Sequence, residues 1–130
     1  MSSKFVKCIK EYDDFMAIGG VDNSVIEQVE QAMGLKFADD YRDYLKECGQ
    51  AIVDGHEFTG IHKSERLNVE KVTQKARKQF QDIASDWYVI EDLGIDRILV
   101  WQSSSGTVYE SNDHGITEEV SKSLFEYMKL

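Results

Sequence analysis

Proline is absent from the 130 residues, and cysteine occurs only twice, at Cys8 and Cys48. Without proline or any low-complexity stretch, neither a proline-rich linker nor a disordered segment is expected. Two cysteines 40 residues apart make neither a disulfide framework nor a zinc spacing. Both fall at apolar positions of expected helices, which points to two buried free thiols in a reducing cytoplasm. No apolar run approaches the ~20 residues that span a bilayer. The opening Met-Ser-Ser-Lys-Phe-Val-Lys-Cys breaks into charge at once, so no signal peptide is expected and the assigned compartment is the cytoplasm.

Catalytic and metal motifs are also missing. His56, His62 and His114 include no pair at i, i+4 spacing, and there is no HExxH. Ser103-Ser104-Ser105-Gly106 is not a nucleophile elbow, and Gly19-Gly20 lacks the Lys-Ser/Thr of a phosphate-binding loop. The residues carry no positive argument for catalysis, a metal or any other cofactor, and none is expected.

Basic charge is scarce and unevenly placed. Against 24 acidic residues stand 15 basic ones, a formal net charge of −9. Residues 63–78 reverse the balance, with 6 basic and 2 acidic groups. An acidic surface repels nucleic acid and anionic membranes, and it steers encounters with a basic protein.

What is present reads as one α+β domain over residues 1–130. A stripe of Phe5, Cys8, Ile9, Tyr12, Phe15 and Met16 predicts a first helix stopped by Gly19-Gly20. Ser24 and Glu27 have capping-box spacing before a second helix that ends at Gly34. Tyr41, Tyr44, Leu45 and Cys48, at i, i+3, i+4 and i+7, mark a third helix ending at Gly49. Asp54-Gly55 between apolar runs predicts a hairpin. Helical period returns over 67–83, with the cations pointing away from its apolar stripe. A three-strand meander is expected at 87–90, 97–101 and 107–110. The first two strands lack polar alternation and should be central, and the third is the edge candidate. Thr117 should then cap a last helix. The expected architecture is a largely antiparallel twisted sheet, hairpin plus meander, covered by about five helices.

The carboxylates that a partner could reach lie on the expected turns: Asp54 and Glu57 at the hairpin, and Glu91, Asp92 and Asp96 between the two central strands. Turns also favour aspartate on backbone grounds alone, so these positions admit two readings.

The ordered set Val25-Ile26-Glu27, Met33-Gly34-Leu35-Lys36-Phe37-Ala38-Asp39-Asp40-Tyr41-Arg42-Asp43-Tyr44-Leu45 and Cys48-Gly49-Gln50 resembles the opening signature of the SUKH superfamily. Gly55–Ile61 resembles that family's glycine-bounded strand, and residues 87–130 its closing meander and helix. The resemblance covers residues 20–130, leaving the 1–19 helix outside its clearest part. The family often carries proline where this chain has Ala38, and a second glycine where it has Gln50. The resemblance implies a sheet covered by helices and no enzymatic activity. For bacterial members it implies an immunity protein that binds a polymorphic toxin, often a nuclease. For fungal relatives it implies an interaction scaffold. An acidic immunity protein would occupy a basic nuclease surface through Asp54, Glu57, Glu91, Asp92 and Asp96, without itself binding nucleic acid or membrane.

Overall fold

The computed structural model describes residues 3–130. Helix α1 (Lys4–Lys10) starts where the Ser3 hydroxyl accepts from the Val6 N–H, and it buries Phe5, Val6, Cys8 and Ile9. It stops well short of the predicted end. Met16–Ala17 forms strand β1 instead, and Met16 is 68% exposed. The helical spacing of Tyr12, Phe15 and Met16 is overridden by strand pairing with residues 51 and 52. Nor do Gly19-Gly20 stop a helix. They let the chain lie against the end of α3 (Asp39–Cys48), where Gly19 and Val21 N–H groups donate to the Cys48 and Leu45 carbonyls. A Cβ on Gly20 would sit 1.9 Å from the Lys46 carbonyl oxygen, so only glycine fits there.

Helix α2 (Asn23–Met33) begins at Asp22 rather than at Ser24, and the expected capping box is not formed. The Asn23 side chain is drawn instead to Arg42 and Glu27. Gly34 closes α2 in the left-handed conformation, as the sequence indicates. Buried Glu30 accepts from the Phe37 N–H and pairs with Arg42, which joins α2 to α3. In α3 the four expected residues, Tyr41, Tyr44, Leu45 and Cys48, are all buried.

Strands β2 (Ala51–Val53) and β3 (His56–Glu57) form the expected hairpin, with Asp54 and Gly55 both at positive φ. With β1 they make a three-stranded sheet in the order β1-β2-β3. A single 3-10 turn (Glu65–Leu67) leads to α4 (Val69–Gln79), capped by Asn68.

The second sheet is antiparallel throughout: β4 (Tyr88–Asp92), β5 (Leu99–Gln102), β6 (Val108–Ser111) and β7 (Thr117–Ser121), in that order. Val89 faces Trp101 and Asp92 faces Leu99, so the two apolar strands pair as expected. Strand β4 is terminal rather than central. Its outer edge is covered by the Phe58–Glu91 bridge and by Thr59, whose N–H donates to the Ile90 carbonyl and whose hydroxyl donates to that of Val89. Strand β6 is interior, because residues 117–121 form a further strand and not the start of a helix. The apolar spacing of Val120, Leu124 and Tyr127 straddles two elements. Helix α5 (Leu124–Met128) begins only at Ser123, which accepts from the Glu126 N–H, while Glu126 accepts from the Lys122 N–H. Glu118 and Glu119 charge the outer strand, which discourages edge-to-edge pairing.

Both faces of this sheet are covered. Tyr88, Ile90, Val100 and Val108 pack into the main core with α1, α3 and α5. Val89, Leu99 and Trp101 pack on the other side under Ala76 and Phe80 of the α4 segment. Cys8 and Cys48 are buried and unbridged, and burial pushes the Cys48 thiol up to about 11. Every buried side-chain polar atom among the described residues has a hydrogen-bond partner. The Tyr41, Tyr44 and Tyr88 hydroxyls, for instance, bond Thr59, Thr59 and Ala51, and Ala38 and Gln102 respectively.

Candidate functional site

The antiparallel bridge between Phe58 and Glu91 decides where the acidic turns stand. The chain running back from Phe58 to Asp54 and the chain running forward from Glu91 to Asp96 travel the same way. The hairpin turn and the β4–β5 turn therefore share one end of the molecule. Pairing of Leu99 with Ser111 carries the β6–β7 turn, with Asp113, to that end as well.

Asp54, Asp92 and Asp96 are exposed there. The Asp54 N–H donates to both carboxylate oxygens of Asp14 at 3.0 Å, which brings a further acid alongside. Asp92 accepts from the Gly94 N–H at 2.9 Å, a local turn bond that leaves its second oxygen open. Asp96 and Arg97 are both at positive φ, near +52° and +56°. Aspartate tolerates that region better than most residues, and arginine does not.

Glu57 flanks the hairpin turn from β3, as expected, whereas Glu91 is placed differently. Glu57 makes a two-pronged ion pair with Arg66, both contacts 3.0 Å, and the hydrogen bond from Arg66 holds its carboxyl below the usual range. Glu91 is not on the turn. It belongs to β4 and is 3% exposed. A carboxylate can be buried there because two partners meet it. His56 Nδ1 lies 2.9 and 3.1 Å from its two oxygens, and the Tyr127 hydroxyl donates to it at 2.8 Å. Neither partner could be found by spacing, since they lie 35 and 36 residues away on other elements.

This cluster has the form of a histidine–carboxylate pair. The hydrogen bond to Glu91 raises the His56 pKa above its ordinary value. The ring stacks on Phe58 at an interplanar angle of 10°, and Tyr127 packs edge-on to it. Both contacts of His56 Nδ1 go to Glu91, so the pair ties β3 to β4. What it does is pin the hairpin to β4 and α5. Among the described residues no group of three or more His, Cys, Asp or Glu side chains could hold a metal ion, and no helix is long and apolar enough to cross a membrane.

Helices on both faces of an antiparallel meander, with charged turns gathered at one end, define an α+β domain. A family model described as SMI1-KNR4 cell-wall, SUKH_5, matches residues 3–129, and the chain belongs to that family. The match takes in α1, which lay outside the clearest sequence resemblance. No curated protein matches the chain.

Proposed function

We propose that this chain is a non-enzymatic immunity protein that binds and blocks a cognate basic toxin domain, such as a nuclease, in the cytoplasm. The observation that carries the reading is the gathering of Asp54, Asp92 and Asp96, all exposed, at one end of the two sheets. A nuclease must present cations to phosphate, and a rigid acidic surface competes for the same cations. Glu57 flanks this end, and a partner arginine would have to displace Arg66 from it. Glu91 contributes from the interior, by holding His56 and the hairpin in place.

The test is co-expression with the product of the adjacent gene, followed by co-purification and a survival assay. Asp54→Asn, Asp92→Asn and Asp96→Asn together keep side chains tolerated at positive φ and the bond to Gly94 while removing three charges. The expected outcome is loss of protection with unchanged folding. Removing three charges near the starts of α2 and α3 instead, by Asp22→Asn, Glu27→Gln and Asp39→Asn, should preserve protection. The alternative is a scaffold of the same fold that serves several partners, favoured by the coexistence of an acidic end and a basic helix. Co-purification with several housekeeping proteins, and not with one toxin, would select it.

A further inference from the structure

The 63–78 segment concentrates positive charge, and the fold turns part of it into a groove. Between α4 and the β4–β5 turn runs a depression of about 540 Å³. That is within the ~300–1,000 Å³ range typical of ligand sites. Its floor is apolar, formed by Val72, Ala76, Phe80 and Leu99. Its cationic lining is Arg66, Lys71, Lys75 and Lys78 on one wall and Arg97 on the other.

The state of those cations is the informative feature. The chain has nine more acids than bases, so anionic partners are abundant. Yet Lys71, Lys75, Lys78 and Arg97 enter none of the six ion pairs formed among the described residues. Arg66 alone is paired, with exposed Glu57. Two acids, Glu65 and Asp92, also line the groove, and Asp92 already accepts from its own turn. Arg97 takes a φ of 56°, a backbone conformation that arginine rarely adopts.

We infer that this groove is a second binding surface, meeting the acidic end only at Asp92, and that it takes an extended acidic peptide with apolar residues at alternate positions. Helical rise separates Lys71 from Lys75 by about 6 Å along the axis, and Lys75 from Lys78 by about 4.5 Å. An extended chain repeats each face every ~6.6 Å. One face of such a peptide sets apolar side chains on the floor. The other sets carboxylates at the rim, where long lysine and arginine side chains reach them from both walls. A nucleic acid strand fits less well. It has no apolar side chains for the floor, Phe80 is too buried to stack with a base, and a long polyanion would run onto the surrounding acidic surface.

The probe is a short fluorescein-labelled peptide of alternating glutamate and leucine, read by fluorescence anisotropy. Its controls are the same peptide with every glutamate replaced by glutamine and an oligothymidylate of matched length. Expected results are saturable binding of the glutamate peptide, weakening on going from about 0.05 M to about 0.3 M salt, and no binding of the glutamine peptide. Lys75→Glu with Lys78→Glu should weaken binding by about tenfold or more, with an unchanged melting curve to show that the variant folds. Arg97→Gln should weaken it through the opposite wall, and Asp54→Asn, at the acidic end, should not. Equal binding of the glutamine peptide, or unchanged affinity in the Lys75/Lys78 variant, would overturn the site. Tighter binding of the oligothymidylate through the same lysines would make it a phosphate site and overturn the peptide assignment. Because the readout needs no toxin, the result stands apart from that of the protection assay.

Discussion

Glu30 and Glu91 inside the fold, and Asp54, Asp92 and Asp96 at its acidic end, show two uses of a carboxylate in one small chain. Each interior glutamate meets two partners: Phe37 and Arg42, from the following connector and helix, for Glu30, and His56 and Tyr127, from distant segments, for Glu91. Among the described residues the Asp92 side chain accepts from the Gly94 N–H of its own turn, and exposed Asp54 acts on His56 only through its charge. Interior carboxylates therefore fasten elements together, and their removal should be felt by the fold. Substituting the exposed aspartates should leave the fold largely indifferent. Lys71, Lys75, Lys78 and Arg97 stand on the same side of this division as the turn aspartates, with the opposite sign.

The strongest test of the division is Glu30→Ala. It strips a buried partner from Arg42 and the Phe37 N–H, and it should cost about 3 kcal/mol in urea unfolding. A loss under about 0.5 kcal/mol would mean that the pair does not hold α2 on α3. Glu91→Ala comes next. It leaves the Tyr127 hydroxyl without its acceptor, and about 2 kcal/mol should be lost.

A smaller, pH-dependent effect belongs to His56. Its pKa is raised in the folded state by the hydrogen bond to Glu91, with the Asp54 charge adding to this. The protonated form is therefore favoured by folding. The stabilisation is fully present below the unfolded value of about 6.5 and is lost as pH rises through the raised folded value. Melting temperatures of the native chain and of His56→Gln, compared at acid and at mildly alkaline pH, should differ more at the acid end. A constant difference across that range would show that His56 is not held charged by Glu91.

How much of this could be read beforehand follows from the range of the interactions. The α3 stripe, the Asp54-Gly55 hairpin and the pairing of the two apolar strands are local signals, and each appears as expected. Residues 12–16 and 117–121 carry helical spacing but form a loop and strands, because partners at 51–52 and 108–111 supply hydrogen bonds that spacing cannot anticipate. At the acidic end Asp54 and Asp96 were legible as turn residues, while Asp92 stands at the end of β4, paired with Leu99. The removal of Glu91 to the interior was not legible, since nothing local ties it to His56 or Tyr127. Likewise the lysines of the groove are visible as a basic segment, while Arg97 joins them only through the fold.

The smallest expected change in stability accompanies the largest in function. Asp54→Asn, Asp92→Asn and Asp96→Asn together should shift stability by no more than about 0.5 kcal/mol. The decisive measurement is the association rate of this variant and of the native chain with the basic toxin domain proposed as the partner, by stopped flow across salt concentration. The native rate should fall steeply from about 0.01 M to about 0.15 M salt, as the Debye length shrinks from ~30 Å to ~8 Å. The variant should associate about tenfold more slowly at low salt and show a much flatter salt dependence. A variant that associates at the native rate, with the native salt dependence and full protection, would contradict the assignment of the partner to the acidic end.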